Sequence, residues 1–274
     1  MVLAAVGQIC STTSFSHNLA QCRSLVQKAA TAGAKALFLP EASDYIATSP
    51  DESVSLCKPI HKSPFVLGLQ EDAKKYSLPI SVGIHEPSDD PKSKRLKNTL
   101  IWIDQNGEIS PRYRYQKLHL FDLELEGKPP LKESNSTEPG SAILPPFESP
   151  VGQIGAAICF DLRFPEVALS LKRQGAEIIL YPSAFHPSTG AAHWHSLLRC
   201  RAIENECYVI AAAQVGSHND KRISYGHSIA INPWGEIIAE LGGEKGDEPE
   251  IALADIDLEK LTSVRSQLPL KRRT

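Results

Sequence analysis

The sequence predicts an α/β layered fold, and three observations carry that expectation. Apolar, strand-like runs alternate with segments whose apolar residues recur at helical spacing. Turn signals built on Gly, Pro and Asn-Gly separate them. A short stretch near the start, Gly33-Ala34-Lys35-Ala36-Leu37-Phe38-Leu39-Pro40-Glu41, also resembles Gly175-Ala176-Glu177-Ile178-Ile179-Leu180-Tyr181-Pro182-Ser183 in the second half. Both copies follow a strand and a helix, which points to two related β-α-β units inside one domain.

Residues 2–10 read as a buried strand. Residues 18–32 place Leu19, Cys22, Leu25, Val26, Ala29 and Ala30 on one helical face, and Gly33 stands where a left-handed cap ends a helix. Residues 35–40 are a short β run ending in Pro. A helix is predicted over 64–76, and strands over 79–85, 98–104 and 108–115, with Gln105-Asn106-Gly107 turning the last pair. Residues 117–150 are irregular and rich in Pro, Gly, Ser and charge, long enough to be a functional loop. The pattern then restarts: a strand over 151–158, a helix over 165–174 capped by Gly175, and a strand over 177–181. A helix over 191–206 and one strand over 207–215 follow, then a hairpin, 228–232 and 236–241, around Pro233-Trp234-Gly235.

The chain has 274 residues, 42% hydrophobic and 22% charged, a composition ordinary for a soluble globular protein. A chain of this length buries enough surface to need no disulfide or metal staple. With 29 Lys+Arg against 32 Asp+Glu, the net charge is −3, which excludes a generally basic nucleic-acid binder. The Lys271-Arg272-Arg273 tail reads as a solvated end. No apolar run reaches membrane-spanning length, no signal peptide or import signal is readable, and six cysteines lack C-x-x-C spacing. Reduced thiols and a cytoplasmic location are the expectation, with no nucleic-acid or membrane partner.

Open α/β sheets place their sites at the carboxyl ends of strands. Two reactive residues stand there: Glu41 after Leu37-Phe38-Leu39-Pro40, and Cys159 after Ile154-Gly155-Ala156-Ala157-Ile158. Cys159 also precedes a predicted helix around residues 160–166, whose exposed N–H groups would favour a thiolate. The Phe160 N–H could then face a developing oxyanion. Lys117, entering the long loop, could hold that oxyanion as a fixed cation and lower the thiol pKa. A free cysteine at a strand end is otherwise a small core residue, and Cys10, Cys22, Cys57, Cys200 and Cys207 are read that way. His193-Trp194-His195 invites a metal reading, but no H-E-x-x-H or Cys/His quartet accompanies it, so no metal or cofactor is expected.

Leu39-Pro40-Glu41, Tyr115-Gln116-Lys117-Leu118-His119-Leu120-Phe121 and Ile158-Cys159-Phe160-Asp161-Leu162-Arg163-Phe164-Pro165-Glu166 resemble the three signature blocks of the nitrilase superfamily, in the family's order. Tyr225-Gly226-His227-Ser228 is similar to the branch of Nit proteins. The stretch from Ser183 to Trp194 resembles the loop of the branch's deaminated glutathione amidases. Gln116 and Ala191 depart from that pattern, standing where many relatives carry Arg and Pro.

The resemblance implies a four-layer α-β-β-α sandwich with internal pseudo-symmetry, spanning residues 1–274 as one carbon-nitrogen hydrolase domain, and a homodimer. It implies a catalytic Glu41-Lys117-Cys159 triad, with Glu133 as a second glutamate and Glu138 its weaker rival. Phe160, Arg163, Phe185 and Thr189 match substrate-binding positions, and Arg163 suits the carboxylate of an α-keto acid amide. The implied reaction cleaves deaminated glutathione to 2-oxoglutarate and Cys-Gly through a thioester on Cys159. An ω-amidase acting on α-ketoglutaramate, a carbamoylase and a non-enzymatic partner module are the alternatives. Replacing Lys117 by Ala is expected to be severe for activity and mild for structure.

Overall fold

Two successive runs of strand and helix build the molecule. In the computed structural model, which describes residues 1–123, 131–244, 246, 248–271 and 273, the first run is β1 (Val2–Ile9), α1 (Phe15–Thr31), β2 (Ala36–Phe38), α2 (Pro50–Leu56), α3 (Pro64–Tyr76), β3 (Ile80–Pro87), β4 (Leu96–Ile103) and β5 (Ile109–Gln116). A connection follows with β6 (Asp122–Leu123), β7 (Leu131–Lys132), β8 (Thr137–Glu138) and β9 (Phe147–Ser149). The second run is β10 (Gly152–Ala156), α4 (Pro165–Arg173), β11 (Ile178–Leu180), α5 (Pro187–Asn205) and β12 (Tyr208–Ala211). The chain ends with β13 (Ala213–Asn219), β14 (Arg222–Tyr225), β15 (Ile229–Ile231), β16 (Ile237–Glu240), β17 (Glu250–Ile256) and α6 (Leu258–Gln267).

Each run makes its own sheet with the same pairing. β1–β2 and β2–β3 are parallel, then β3–β4 and β4–β5 antiparallel. Likewise β10–β11 and β11–β12 are parallel, then β12–β15 and β15–β16 antiparallel. The Gly-to-Pro similarity is the visible trace of this repetition. Gly33 and Gly175 take positive φ of 77° and 99° at matching helix ends, which an L side chain adopts only with strain.

Three apolar layers hold the sandwich. Ala4, Val6, Phe38 and Trp102 of the first sheet meet Ile154, Ile178, Leu180 and Ile210 of the second. On the outer face of the first sheet, Leu37 and Val82 pack on Leu25 and Val26 of α1 and Phe65 and Leu69 of α3. On the outer face of the second, Ile179 and Val209 pack on Val167 and Leu171 of α4 and Trp194 and Leu198 of α5. The result is the expected α-β-β-α order, each sheet buried on both faces.

Some boundaries move for identifiable reasons. α1 starts at Phe15 rather than 18, because the Ser14 side chain accepts the His17 N–H and caps the helix. The short α2, capped by Ser49 with Pro50 in its first turn, has no buried residue and so no periodic signal. The predicted strand over 207–215 is two strands: β12 pairs with β11 in the second sheet and β13 with β1 in the first. The chain crosses between sheets at Ala212, which is 2% exposed, so the run stays apolar across the break. The helix expected around 160–166 is instead a 3-10 turn, Cys159–Arg163, and α4 begins at Pro165. Cys200 is exposed on α5 and Cys57 half-buried, so neither is a core thiol. Arg272 and residues 124–130 of the long loop lie outside the described residues. Among the described residues, no helix is long and apolar enough to cross a membrane.

Candidate active site

Glu41 sits just past β2 on a turn laid against β3. The Gly83 N–H donates to the Pro40 carbonyl at 3.0 Å, and the Ser43 N–H donates to the Gly83 carbonyl at 2.8 Å. A Cβ on Gly83 would lie 2.5 Å from the Glu41 Cα, so only glycine permits this approach. Ala42, next in the chain, has φ of 54°, an uncommon conformation for a residue with a side chain. The far end of the turn is pinned by Asp44, whose carboxylate accepts the His85 N–H and the His85 Nδ1, each at 2.9 Å. The latter bond sets the ring's Nδ1 as the protonated nitrogen.

Lys117 follows β5 directly, and its N–H donates to the Asn98 carbonyl at 2.9 Å. Its ammonium is buried. Nζ donates to Glu41 Oε1 at 2.9 Å and contacts both Glu133 oxygens, at 3.1 and 2.9 Å. The Asn98 Nδ2 donates to the same Glu41 oxygen at 2.8 Å, and the Ala184 N–H donates to Glu41 Oε2 at 3.0 Å. Glu133 is anchored in turn by the Phe121 N–H at 2.7 Å. Glu138, by contrast, accepts from Ser93 at 2.7 Å and makes no contact with Lys117.

Cys159 opens the 3-10 turn with φ of 44°, and its N–H donates to the Pro182 carbonyl at 3.0 Å. Non-glycine residues in such conformations cost about 1–3 kcal/mol and cluster at functional sites. The turn is built on Asp161, which is wholly buried. Asp161 accepts the Ile158 N–H at 3.0 Å, the Tyr115 hydroxyl at 2.7 Å, and His119 through its N–H at 3.0 Å and its Nδ1 at 2.8 Å. Phe160 has the second N–H of this turn, where helix-start amides lack an intrahelical acceptor.

The charges follow from burial set against pairing. Burial alone would raise the Glu41 carboxyl, but the Lys117 charge and hydrogen bond outweigh it and hold the group below the ordinary 4.5. Burial would lower Lys117, but Glu133 and then Glu41 hold it well above the ordinary 10.5. Cys159 goes the other way: burial first, then the Glu41 charge, push its thiol far up, against the smaller pull of Lys117. The expected low-pKa thiolate is therefore corrected. Burial and the Glu41 charge thus favour a neutral thiol, while pairing favours an ionised carboxylate and a charged ammonium.

The outer residues divide. Arg163 points to the surface, where its Nη2 donates to His193 Nδ1 at 3.0 Å. Phe160 meets Phe121 and Phe164 edge-on, with ring centroids 5.2 and 5.6 Å apart. Thr189, half-buried in the first turn of α5, donates to the His186 carbonyl at 3.1 Å. Phe185 is buried beside the Trp194 ring, centroids 4.9 Å apart. Sequence reading alone does not single out Asn98, the Ala184 N–H or Asp161. Asn98 and Asp161 had a signal, a polar side chain inside a buried strand and a carboxylate two residues past Cys159; the backbone donor of Ala184 had none.

A half-buried thiol, a buried carboxylate and a buried ammonium gathered at the strand ends of an α-β-β-α sandwich are groups suited to a hydrolase. The chain belongs to the carbon-nitrogen hydrolase family, whose model matches residues 3–266. It is 49% identical over 273 residues to the probable hydrolase nit2 of Schizosaccharomyces pombe, covering 100% of this chain and 98% of that protein. It is 44% identical over 271 residues to the deaminated glutathione amidase of Mus musculus, covering 98% of this chain and 81% of that protein. The crystal structure of the C. elegans NitFhit protein superposes with a TM-score of 0.91 at 37% identity, over 99% of this chain and 65% of that one.

Proposed function

We propose that this chain is a deaminated glutathione amidase, working as one domain over residues 1–274 with Glu41, Lys117, Cys159 and Glu133 as its catalytic group. Glu41 takes the Cys159 proton as the sulfur attacks the substrate's amide carbon. The Lys117 ammonium, held by Glu41 Oε1 and both Glu133 oxygens, places a fixed positive charge for the tetrahedral oxyanion beside the Phe160 N–H. Glu41 then gives the proton to the leaving amine, and a thioester of 2-oxoglutarate remains on Cys159. A water deprotonated by Glu41 releases the acid, and the thiol recovers its proton. Glu133, gripping Lys117 through both oxygens, keeps the ammonium fixed throughout.

The observation that carries this reading is the sharing of Glu41 between Lys117 and Ala184, which leaves an ionised base beside a neutral thiol. Arg163, which ends the turn that Cys159 opens, would take the substrate's α-keto acid carboxylate, and Phe160, Phe185 and Thr189 would contribute to substrate binding. No cofactor enters the scheme. A homodimer fits the exposed apolar surface of Ile203, Trp234 and Ile237, and a cytoplasmic location fits reduced cysteines.

The test compares kcat/KM on deaminated glutathione and on α-ketoglutaramate, with mass spectrometry of the protein during turnover. Preference for deaminated glutathione and a 2-oxoglutaryl adduct on Cys159 are expected. Equal or reversed preference would make it an ω-amidase, and a Cys159→Ala protein that still hydrolyses either amide would overturn the mechanism.

A further inference from the structure

Trp194 separates two histidines of α5 that serve different neighbours. His193 faces Arg163, while His195 turns to the edge of the second sheet. There the His195 Nε2 lies 2.6 Å from Glu240 Oε1, and the His227 Nδ1 lies 3.1 Å from the same oxygen. The three donor atoms come from α5, from the loop between β14 and β15, and from β16, and all lie within 4.8 Å of one another. We propose that His195, His227 and Glu240 form a binding site for a divalent first-row cation of the zinc type, which braces α5 against the edge of the sheet.

The donor chemistry selects the ion. Two imidazoles and one carboxylate suit zinc or a neighbouring first-row metal rather than calcium or magnesium, which take oxygen ligands. Zinc–ligand bonds of about 2.0–2.2 Å set tetrahedral donors about 3.3 Å apart. A small opening of the present contacts meets that spacing, and a water completes the fourth position. Side-chain exposures of 33%, 26% and 29% leave a path for the ion to enter. In exchange, one cation replaces the two imidazole protons that now share a single carboxylate oxygen.

The scaffold under the donors is rigid. Trp194, adjacent to His195, is fully buried, and its Nε1 donates to the His227 carbonyl at 2.8 Å. His227 itself has φ of 59°. Its Nε2 edge is backed by Gly243, where a Cβ would fall 2.5 Å away. Tyr225 lies over its ring with centroids 4.4 Å apart. The ring is thus held with Nδ1 toward Glu240, and little ordering entropy remains to be lost when an ion binds. The site lies on the helix that carries Thr189, and no step of amide hydrolysis passes through it.

The experiment strips the purified full chain with a chelator, then titrates it with Zn²⁺ against a chromophoric competitor and with Co²⁺ by visible absorption. One equivalent per chain is expected, with the cobalt bands of a tetrahedral site. His195→Gln, His227→Ala and Glu240→Gln should each weaken binding about 100-fold or more, since loss of even an outer-shell partner costs about 10–100-fold. Cys159→Ala and Cys200→Ser should keep the equivalent, separating this site from metal captured by a thiolate. Zinc should also raise the melting temperature of the parent and of Cys159→Ala, but not of Glu240→Gln, which keeps the shape of the carboxylate and monitors folding. Stoichiometric binding that survives Glu240→Gln, or that is lost in a cysteine variant, overturns the proposal. So does the absence of binding, which would leave a hydrogen-bonded His-Glu-His cluster only.

Discussion

Lys117 Nζ stands 2.9 Å from Glu41 Oε1, with the two side chains 2% and 4% exposed. The ammonium also holds Glu133, so it is the counter-charge for two carboxylates that would otherwise repel each other out of water. Removing one partner of a buried pair leaves an uncompensated charge and costs about 3–5 kcal/mol. The sequence-based expectation of a mild structural effect for Lys117→Ala is therefore replaced. Activity should fall about 10²–10³-fold or more from the lost oxyanion donor, and denaturant melts should show the stability loss as well.

The pH dependence of that loss has a definite sign. Glu41 is held below its ordinary 4.5, so its contribution to stability is complete above that value and fades as pH falls through the lowered one. Lys117 is held above its ordinary 10.5, so its contribution is complete below that value and fades only as pH rises through the raised one. The parent should therefore keep both contributions between about pH 5 and 10. In Lys117→Met, of similar volume, the Glu41 carboxylate loses the partner that holds it ionised and should gain stability by taking a proton. Its deficit against the parent should narrow as pH drops from 7 toward 4; a constant deficit would contradict the pairing.

Gly83→Ala tests the backbone beneath the base. The new methyl would meet the Glu41 Cα at 2.5 Å and the Pro40 carbonyl at 2.9 Å, both backbone atoms that cannot swing aside. The turn must lift off β3, which carries Glu41 away from Lys117 and Cys159. A misplacement of about 1 Å can cost about 10²-fold in rate, so kcat should drop by that order. A control with Gly33→Ala, where a Cβ meets nothing within 4 Å, should lose stability from its positive φ while sparing kcat.

The legible part of this molecule was whatever its periodicity and chain order encode. Burial of each sheet on both faces wrote Val2–Ile9 and Ile178–Leu180 as apolar runs, and Gly33 and Gly175 marked matching helix ends. Glu41, Lys117 and Cys159 stood at strand ends, where open sheets gather chemistry. Other features had no local trace. Ala212 crosses between sheets inside an unbroken apolar run, because both sheets are buried there. The upward push on the Cys159 thiol comes from desolvation and from Glu41, far away in sequence, neither of which a strand-end cysteine announces. His195, His227 and Glu240 come from three separate elements, so the adjacent His193 was the misleading partner.

Arg163 should control substrate affinity rather than chemistry. It is the surface end of the turn that carries Cys159, and its guanidinium is aimed by His193 at 3.0 Å. A hydrogen bond to a charged group contributes about 1.5–3 kcal/mol, so Arg163→Ala should raise KM for an α-keto acid amide about 10–100-fold with kcat little changed. Arg163→Lys should recover little, because an ammonium lacks the planar fork. His193→Ala should raise KM by a smaller factor. An amide without a carboxylate should be indifferent to all three changes, and a kcat-only effect would assign Arg163 to the chemistry instead.

The protonation state of Cys159 makes the most discriminating experiment. An ordinary thiol is alkylated through its thiolate, so below its pKa the rate climbs about tenfold for each pH unit. Desolvation of the half-buried Cys159 thiol and the facing Glu41 charge both push it toward the neutral form across that range. Its sulfur can react only by giving its proton to Glu41, which stays ionised down to acid pH. Alkylation of Cys159 by iodoacetamide, followed by peptide mass spectrometry, should therefore change little between pH 6 and 8. Glutathione in the same tube should show the ordinary climb. Glu41→Gln should abolish the reaction at Cys159 while leaving that of the exposed Cys200 in place. A tenfold rise per pH unit at Cys159, unaltered in Glu41→Gln, would mean that a free thiolate and not a carboxylate–thiol pair is the nucleophile.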